Sequence, residues 1–447
     1  MKAILCMLGA LCALCGFADA SVSRILVRQQ WPWSSKVRVD YELSGVSEPV
    51  DVQVTAVAGG KAVDAAALDA LIVGDRFGLK TGRYSFEFEP ETLFSGAKVD
   101  DFRVTLTPVK SDLSMADALY KIVDLGSGQV EDVSVGRLLS GRYGSVIRPE
   151  EAVAAGGAVT TESYVWTGVT NDVKYATDYL VLRKIYGKGK TWTTGAGTTA
   201  SPSFSVSVNA NYYAAVFETT QGQWKKLMGS YPNSYFNGEG VRDRRPVEYL
   251  SYSDIRGGKL YPEDPGESCF LGVLTKKCGL KCDLPGEYQW EWAAMSGVGT
   301  PNGYNTGVAA MIVGGKDDNF PGRYTHNGGK IGGTETPSRT CGPENGTAYV
   351  GSYAVSKWGL YDCLGNVAEV CLDFYQSQVD KMTYNGAINV SLEDPTKCLD
   401  GTSNDGNHIA RAGHWRDNAC FVLQGASHPA TGVYNNYGFR VFVNIAE

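Results

Sequence analysis

Histidine is nearly absent from this chain: it has 4 in 447 residues, none before residue 200. A centre that holds iron or zinc mainly through imidazoles has few donors to draw on and none in the first part of the chain. Basic clusters are also missing. Lys and Arg number 41 against 48 Asp and Glu, the formal charge is -7, and no Lys/Arg run makes a local exception. Proteins that bind nucleic acid carry a basic footprint, so no nucleic-acid partner is expected. No repeat is visible. The only long apolar run, residues 3–17, is too short for a comfortable membrane span.

That run belongs to MKAILCMLGALCALCGFADA, where Lys2 gives a positive start and Ala18-Asp19-Ala20 a cleavage site. Residues 1–20 read as a signal peptide and the mature chain as starting near Ser21. The protein is then exported, to the periplasm, cell surface or extracellular space, with no transmembrane segment after cleavage. The residues before Cys15 form no convincing lipid-attachment motif. Of 11 cysteines, Cys6, Cys12 and Cys15 leave with the signal, and eight remain: Cys269, Cys278, Cys282, Cys341, Cys363, Cys371, Cys398 and Cys420. An even number in an oxidising compartment favours disulfides. Cys278 and Cys282 lack a second pair at zinc spacing. Local pairings such as Cys278–Cys282 or Cys269–Cys282 stay open.

With 43% hydrophobic and 11% aromatic residues, the chain can build real cores, and its length accommodates two or three domains. Segments 36–43, 50–57, 83–90 and 101–109 alternate apolar and polar residues between turn formers, so 21–110 reads as a small all-β sandwich-like domain. Residues 111–208 read as a linker or irregular β region, and 209–447 as an α+β domain with much irregular structure. In the latter, Thr219 or Thr220 opens a helix, Ser251 or Ser253 a second, and Pro285 stands near the start of a third. The Gly- and Asn-rich stretch 298–350 calls for pinning by ions or disulfides if it is ordered.

The densest segment is GLYDCLGNVAEVCLDFY (359–375), where Asp362, Asn366 and Glu369 surround a turn-forming Gly365. Such hard oxygens suit calcium better than zinc. His408, His414 and His428 lie near one another, but spacings of six and fourteen match no ligand motif, and they read as isolated histidines. Trp290, Trp292, Trp358 and Trp415 read as core.

Five blocks in order resemble the sulfatase-modifying-factor family, whose best-known member is the formylglycine-generating enzyme. They are FETTQGQW, RPVEYLSYSDI, LPGEYQWEWAA, VGSYAVSKWGLYDCLGNVAEV and RAGHWRDNAC…YNNYGFRVF, spread over about 240 residues of the sequence. The resemblance implies an elaborated C-type-lectin-like fold for 209–447, often with bound calcium. By position it implies Asp362, Gly365, Val367 and Glu369 as calcium ligands, the middle two through backbone carbonyls. A second family calcium loop falls near Gly322–Asn327.

The family's enzymes oxidise a substrate cysteine with copper held by two thiolates at C-x4-C spacing. Here the first position is Cys420, the candidate catalytic residue, and the second is Gly425. One thiolate cannot make the two-sulfur site that favours Cu(I), so standard copper-dependent oxidation is not expected. Relatives that look similar in having both cysteines imply a Cys371–Cys420 disulfide instead. The family's iron-dependent sulfoxide synthases carry their His-rich iron site in a separate N-terminal helical domain, and nothing before residue 200 here contains a histidine, so that branch is not expected. The expectation is a calcium-stabilised binding module for a peptide, protein or glycan ligand. The alternative is an oxidoreductase of the family acting on a thiol or peptide substrate.

Overall fold

The computed structural model describes residues 20–29, 35–90, 93–94, 101–111, 118–139, 143–147, 164–193, 205–296, 322–328, 337–374, 387–390, 407–417, 428–430 and 432–445. The signal peptide, the Cys371–Cys420 pairing and Gly425 all involve residues outside these. The chain divides into two compact units, residues 1–119 with 132–169, and residues 120–131 with 170–447.

In the first unit the alternation becomes two facing sheets. One is built from β1 (Ser21–Gln29), β2 (Val37–Ser44), β5 (Val73–Gly74) and β6 (Gly82–Phe88), in the order β1-β2-β6-β5. The other joins β3 (Val50–Ala58), β4 (Lys61–Ala62) and β7 (Phe102–Lys110), in the order β4-β3-β7, and helix α1 (Ala65–Leu71) follows β4. Val39, Tyr41 and Leu43 of β2, Val50, Val52 and Val54 of β3, and Phe86 and Phe88 of β6 share one core. Period-two patterning thus places one face of each sheet inward, as a sandwich requires.

The chain continues through β8 (Ala118–Asp124), β9 (Val130–Ser134), helix α2 (Val135–Leu139) and the antiparallel pair β10 (Val146–Ile147) and β11 (Val165–Trp166). After α3 (Lys174–Thr177) come β12 (Tyr179–Ile185), β13 (Lys190–Thr193), β14 (Ser205–Val208) and β15 (Tyr212–Ala215). Helices α4 (Gln221–Met228), α5 (Tyr252–Arg256) and α6 (Phe270–Cys278) precede β16 (Cys282–Asp283) and α7 (Glu287–Ala294). The rest of the chain is β17 (Ala368–Phe374), β18 (Ala387–Val390), β19 (His408–Arg411), β20 (His428–Ala430), β21 (Tyr437–Gly438) and β22 (Phe442–Asn444).

Much of segment 111–208 belongs to this second architecture rather than to a connection. Its strand β12 is central in a six-stranded sheet of order β16-β22-β15-β12-β8-β9. The reason is written in YLVLRKI, a nearly continuous apolar run that suits a strand covered on both faces. The sheet separates two cores. Leu182, Tyr213 and Val443 face one with Trp224 and Phe270, while Ile185, Tyr212 and Phe442 face the other with Trp290 and Trp292. All four tryptophans read as core are buried. A second sheet, β20-β19-β17-β21, carries the site described below.

Local chemistry sets the helix starts. Thr220 caps α4, its hydroxyl accepting from Gln223 N at 3.1 Å while the Gln223 side chain accepts from Thr220 N at 2.9 Å. Ser251 and Asp254 make the same reciprocal box at α5. Each box satisfies N–H groups that the first turn leaves without helical partners.

Candidate functional site

Asp362, Gly365 and Asn366 all adopt positive φ (57°, 76° and 62°), folding residues 362–366 into a tight turn that feeds directly into β17. A Cβ on Gly365 would lie 1.9 Å from Arg323 O, so only glycine permits the 322–328 segment to dock here. Asn366 N donates to Arg323 O at 2.9 Å.

The turn delivers Glu369 into a buried ion network. Arg440 reaches its carboxylate through Nη2 at 2.6 Å and Nε at 3.0 Å, and Trp290 Nε1 donates to Oε2 at 2.6 Å. The other Arg440 donors go to Ala215 O, Val216 O and Tyr361 O at 2.7–2.9 Å. Burial alone would lower the Arg440 pKa, but Glu369 outweighs it and holds the guanidinium firmly charged. Nearby, Glu218 accepts from Asn366 Nδ2 at 2.6 Å and Val367 N at 3.0 Å. Burial, followed by the charges of Asp362 and Glu369, pushes Glu218 well above the usual carboxylate range. Burial likewise raises Asp362 to about 6.

The LPGEYQWEWAA block has a parallel role. Glu287 and Glu291, one turn apart on α7, grip Arg411 of β19 at 2.8 and 2.7 Å, and Trp192 Nε1 donates to Glu291 at 3.0 Å. Trp290, between the two glutamates, links this pair to Glu369. Glu287, Trp290, Glu291, Glu369, Arg411 and Arg440 all fall in the blocks that carry the family resemblance, and all are buried. In these motifs all six side chains serve a buried network of ion pairs and hydrogen bonds.

The calcium ligand set fits this geometry only in part. Asp362 Oδ1 is buried with no hydrogen-bond partner, which is the atom a cation would take, while Oδ2 accepts from Gly351 N at 2.6 Å. Glu369 is different: both oxygens are already occupied by a guanidinium and an indole. It could serve calcium only by giving up Arg440. Among the described residues no cluster of three His, Cys, Asp or Glu side chains is arranged as a metal site. Cys371 is fully buried, its Sγ 3.6 Å from Glu369 O. Burial pushes its thiol pKa up.

The described part of the irregular stretch 298–350 is pinned by side-chain cations. Arg245 donates to the carbonyls of Cys341, Gly342 and Asn345, and Arg323 to those of Asn327, Pro343 and Gly346. The sequence hints at these roles only weakly, since Asp243 and Glu248 flank Arg245 in the chain while the groups it holds are distant backbone carbonyls. Glu218 carried a better signal, as a lone charge closing the apolar run YYAAVFE.

A cavity of about 160 Å³ lies at the β17–β19 sheet, lined by Leu250, Ser251, Tyr252, Val370, His408, Gly432 and Tyr437. His408 is stacked between Tyr252 (3.6 Å between ring centres) and Phe374 (4.7 Å), and its Nδ1 lies 3.0 Å from Leu372 O. A carbonyl can only accept, so Nδ1 carries the proton. Burial draws the His408 pKa down to about 4, leaving the ring neutral at pH 7. Tyr249, Val433 and Tyr434, chain neighbours of lining residues, are 36%, 39% and 50% accessible. Tyr249 holds φ at 63°, and its N–H donates to Tyr434 O at 2.9 Å. His414 Nε2 faces Asp417 Oδ1 at 3.4 Å rather than joining His408 in a metal site, and the side chain of His428 is not described.

The second unit is thus a C-type-lectin-like α+β domain whose irregular backbone is held by buried arginines. The family described as the Sulfatase-modifying factor enzyme 1-like domain matches residues 198–445, more than half of the chain, and the chain belongs to that family. No curated protein matches it. Among solved structures it is similar to Treponema denticola variable protein 1, at 20% identity and TM-score 0.39, covering 60% of this chain and 96% of that one. PvdO from Pseudomonas aeruginosa gives 18% and 0.40 over 60% of this chain and 95% of its own. CarF gives 18% and 0.31 over 53% and 87%. Among the described residues, no helix is long and apolar enough to cross a membrane.

Proposed function

We propose that this is an exported protein whose family domain binds a peptide or protein segment and does not carry out standard copper-dependent cysteine oxidation. The observation that carries this reading is the cavity at the β17–β19 sheet, whose lining residues Leu250 and Gly432 adjoin the exposed Tyr249, Val433 and Tyr434 in the chain. A space of this size accepts one benzene-sized ring. Leu250, Tyr252, Val370 and Tyr437 line it together with Ser251 and Gly432, its histidine is neutral, and three large apolar or aromatic residues next to the lining residues in the chain are exposed. Clustered exposure of this kind marks an interaction site more often than scattered residues do. The fitting ligand is a segment presenting one bulky apolar or aromatic side chain. Holding a non-glycine residue such as Tyr249 in the left-handed region costs about 1–3 kcal/mol, a strain that concentrates at functional sites.

The sequence supports the negative half of the proposal, since Gly425 stands where a second copper thiolate is needed. Calcium enters as an accessory stabiliser at Asp362, with the carbonyls of Gly365 and Val367 as the other donors and Glu369 retained by Arg440.

Selection from a phage-displayed heptapeptide library tests the reading. The expected result is enrichment of aromatic or branched residues at one position, abolished by Tyr434→Ala and by Gly432→Trp, which fills the cavity mouth. Binding confined to glycans on an array would replace the peptide ligand. Oxygen-dependent conversion of a cysteine peptide by the copper-loaded protein would overturn the proposal.

A further inference from the structure

Helix α6 ends at Cys278, and after Gly279, Leu280 and Lys281 the chain enters β16 at Cys282. The two sulfurs stand 3.8 Å apart. That is van der Waals contact, so a bond between them needs only a small side-chain rotation. Gly279, at φ 73°, ends the helix in the left-handed region and lets the chain double back. The surroundings are asymmetric: Cys282 is 1% accessible, whereas Cys278 is half-buried, with exposed Lys276, Lys277 and Lys281 around it. Cys269 begins the same helix, about 13 Å away along its axis at 1.5 Å per residue. It donates its thiol proton to Gly266 O at 2.9 Å.

We infer that Cys278 and Cys282 form a thiol–disulfide exchange site, with Cys278 the attacking thiol, Cys282 the resolving thiol, and a low-molecular-weight organic disulfide as co-reactant. In the first step the Cys278 thiolate attacks one sulfur of the disulfide. A mixed disulfide forms on Cys278, the original S–S bond breaks, and one thiolate leaves and takes up a proton. In the second step Cys282 loses its proton and attacks Cys278 Sγ, expelling the second thiol. Two protein thiols are oxidised to one disulfide, and one small disulfide is reduced to two thiols.

Three observations favour exchange over a permanent staple. Closing a loop with only three intervening residues constrains the unfolded chain least, so this bond is poorly placed to stabilise the fold. One sulfur is accessible and the other shielded, which suits attack followed by resolution. The Cys282 thiol hydrogen-bonds to Cys278 and, with backbone N–H groups at Leu280 and Cys278, lowers its pKa to about 7 against the opposing effect of burial. At pH 7 the larger thiolate fraction outweighs the weaker nucleophilicity of a more acidic thiol. A net rate about threefold above that of an ordinary exposed cysteine follows.

The test uses the full mature chain and glutathione as the probe. After equilibration across ratios of oxidised to reduced glutathione, acid quench, differential alkylation and peptide mass analysis should show one reversible Cys278–Cys282 bond. Cys282→Ser should stop at glutathione on Cys278, and Cys278→Ser should leave Cys282 unmodified. As a readout independent of variant folding, iodoacetamide modification of wild-type Cys278 should be half-maximal near pH 7. A bond from Cys282 to Cys269, a bond that reduced glutathione never opens, or Cys278 modification half-maximal near pH 9 would each overturn the inference.

Discussion

Among the described residues the first unit keeps its charges at the surface with Arg76, 5% accessible, as the buried exception, whereas the second buries them in number. In the sandwich, Arg38 and Asp40 pair on the outward face of β2 with side chains 38% and 28% accessible, and the core behind them is aliphatic and aromatic. In the second unit Arg183, Glu218, Arg245, Glu248, Arg256, Glu287, Glu369 and Arg440 are all 1% accessible or less. An alternating sandwich needs apolar side chains of about the right volume, and many sequences satisfy that. A buried guanidinium needs its own carboxylate or carbonyls at the right distance, and few sequences do. The second unit therefore carries recognisable motifs and the first does not, although neither difference reports catalysis.

The sharpest way to break this contrast is to remove one charge. Arg440→Leu strands Glu369 in the core and should cost the second unit about 3–5 kcal/mol, because a lone buried charge is far worse than a pair. Hydrogen exchange measured separately over β17 and β2 should show protection lost in β17 alone. Adding Glu369→Leu should recover part of that loss, since a volume-matched apolar pair can replace an ion pair. If the double variant is no more stable than the single, the network's value lies in its hydrogen bonds to backbone rather than in charge pairing. The sandwich counterpart, Leu43→Ala, should cost about 2–5 kcal/mol in β2 protection. In that case no second substitution elsewhere would compensate for the cavity.

Acidification should separate the units next. His408 has its folded pKa lowered to about 4 from an ordinary 6.5. Between those values the unfolded chain binds a proton that the folded one refuses. The stability contributed by the neutral ring is therefore complete above pH 6.5 and lost as pH falls towards 4. A difference of this size in proton affinity is worth about 3 kcal/mol. Thermal unfolding of the second unit followed from pH 7 to 4 should show the slope, and His408→Phe should flatten it. A slope unchanged by His408→Phe would place the acid sensitivity in other groups.

The sandwich strands, the capped starts of α4 and α5 and the family blocks were legible because each is encoded locally, by a two-residue period, a Thr-x-x-Gln or a contiguous motif. The central position of β12 was not. YLVLRKI shows an apolar run, but its neighbours β15 and β8 come from either side of it in the chain, and pairing is a non-local property. The arginine pins were hidden for a related reason: their acceptors are backbone carbonyls, which every residue has and no sequence pattern marks. The cavity was hidden most completely, because its lining gathers residues 250–252, 370, 408, 432 and 437. Conversely, the sequence marked Asp362 and Glu369 as candidate ligands, but it could not say that an arginine about 70 residues on would pair with Glu369.

The smallest expected effect follows from that competition. If calcium uses Asp362 and two carbonyls while Glu369 stays with Arg440, the site lacks a second anionic ligand and its affinity falls in the weak, millimolar class. At a Kd of about 1 mM, 10 mM calcium would stabilise the second unit by about 1.4 kcal/mol and the sandwich not at all. Asp362→Ala should erase the response, and magnesium, which demands a stricter octahedron, should not reproduce it. A response above about 4 kcal/mol would carry a different message. Affinity of that order requires the second carboxylate, hence a Glu369 that exchanges Arg440 for the ion. The second unit would then have two ways of neutralising one buried carboxylate, and its network would be a cation-dependent device where the sandwich has none.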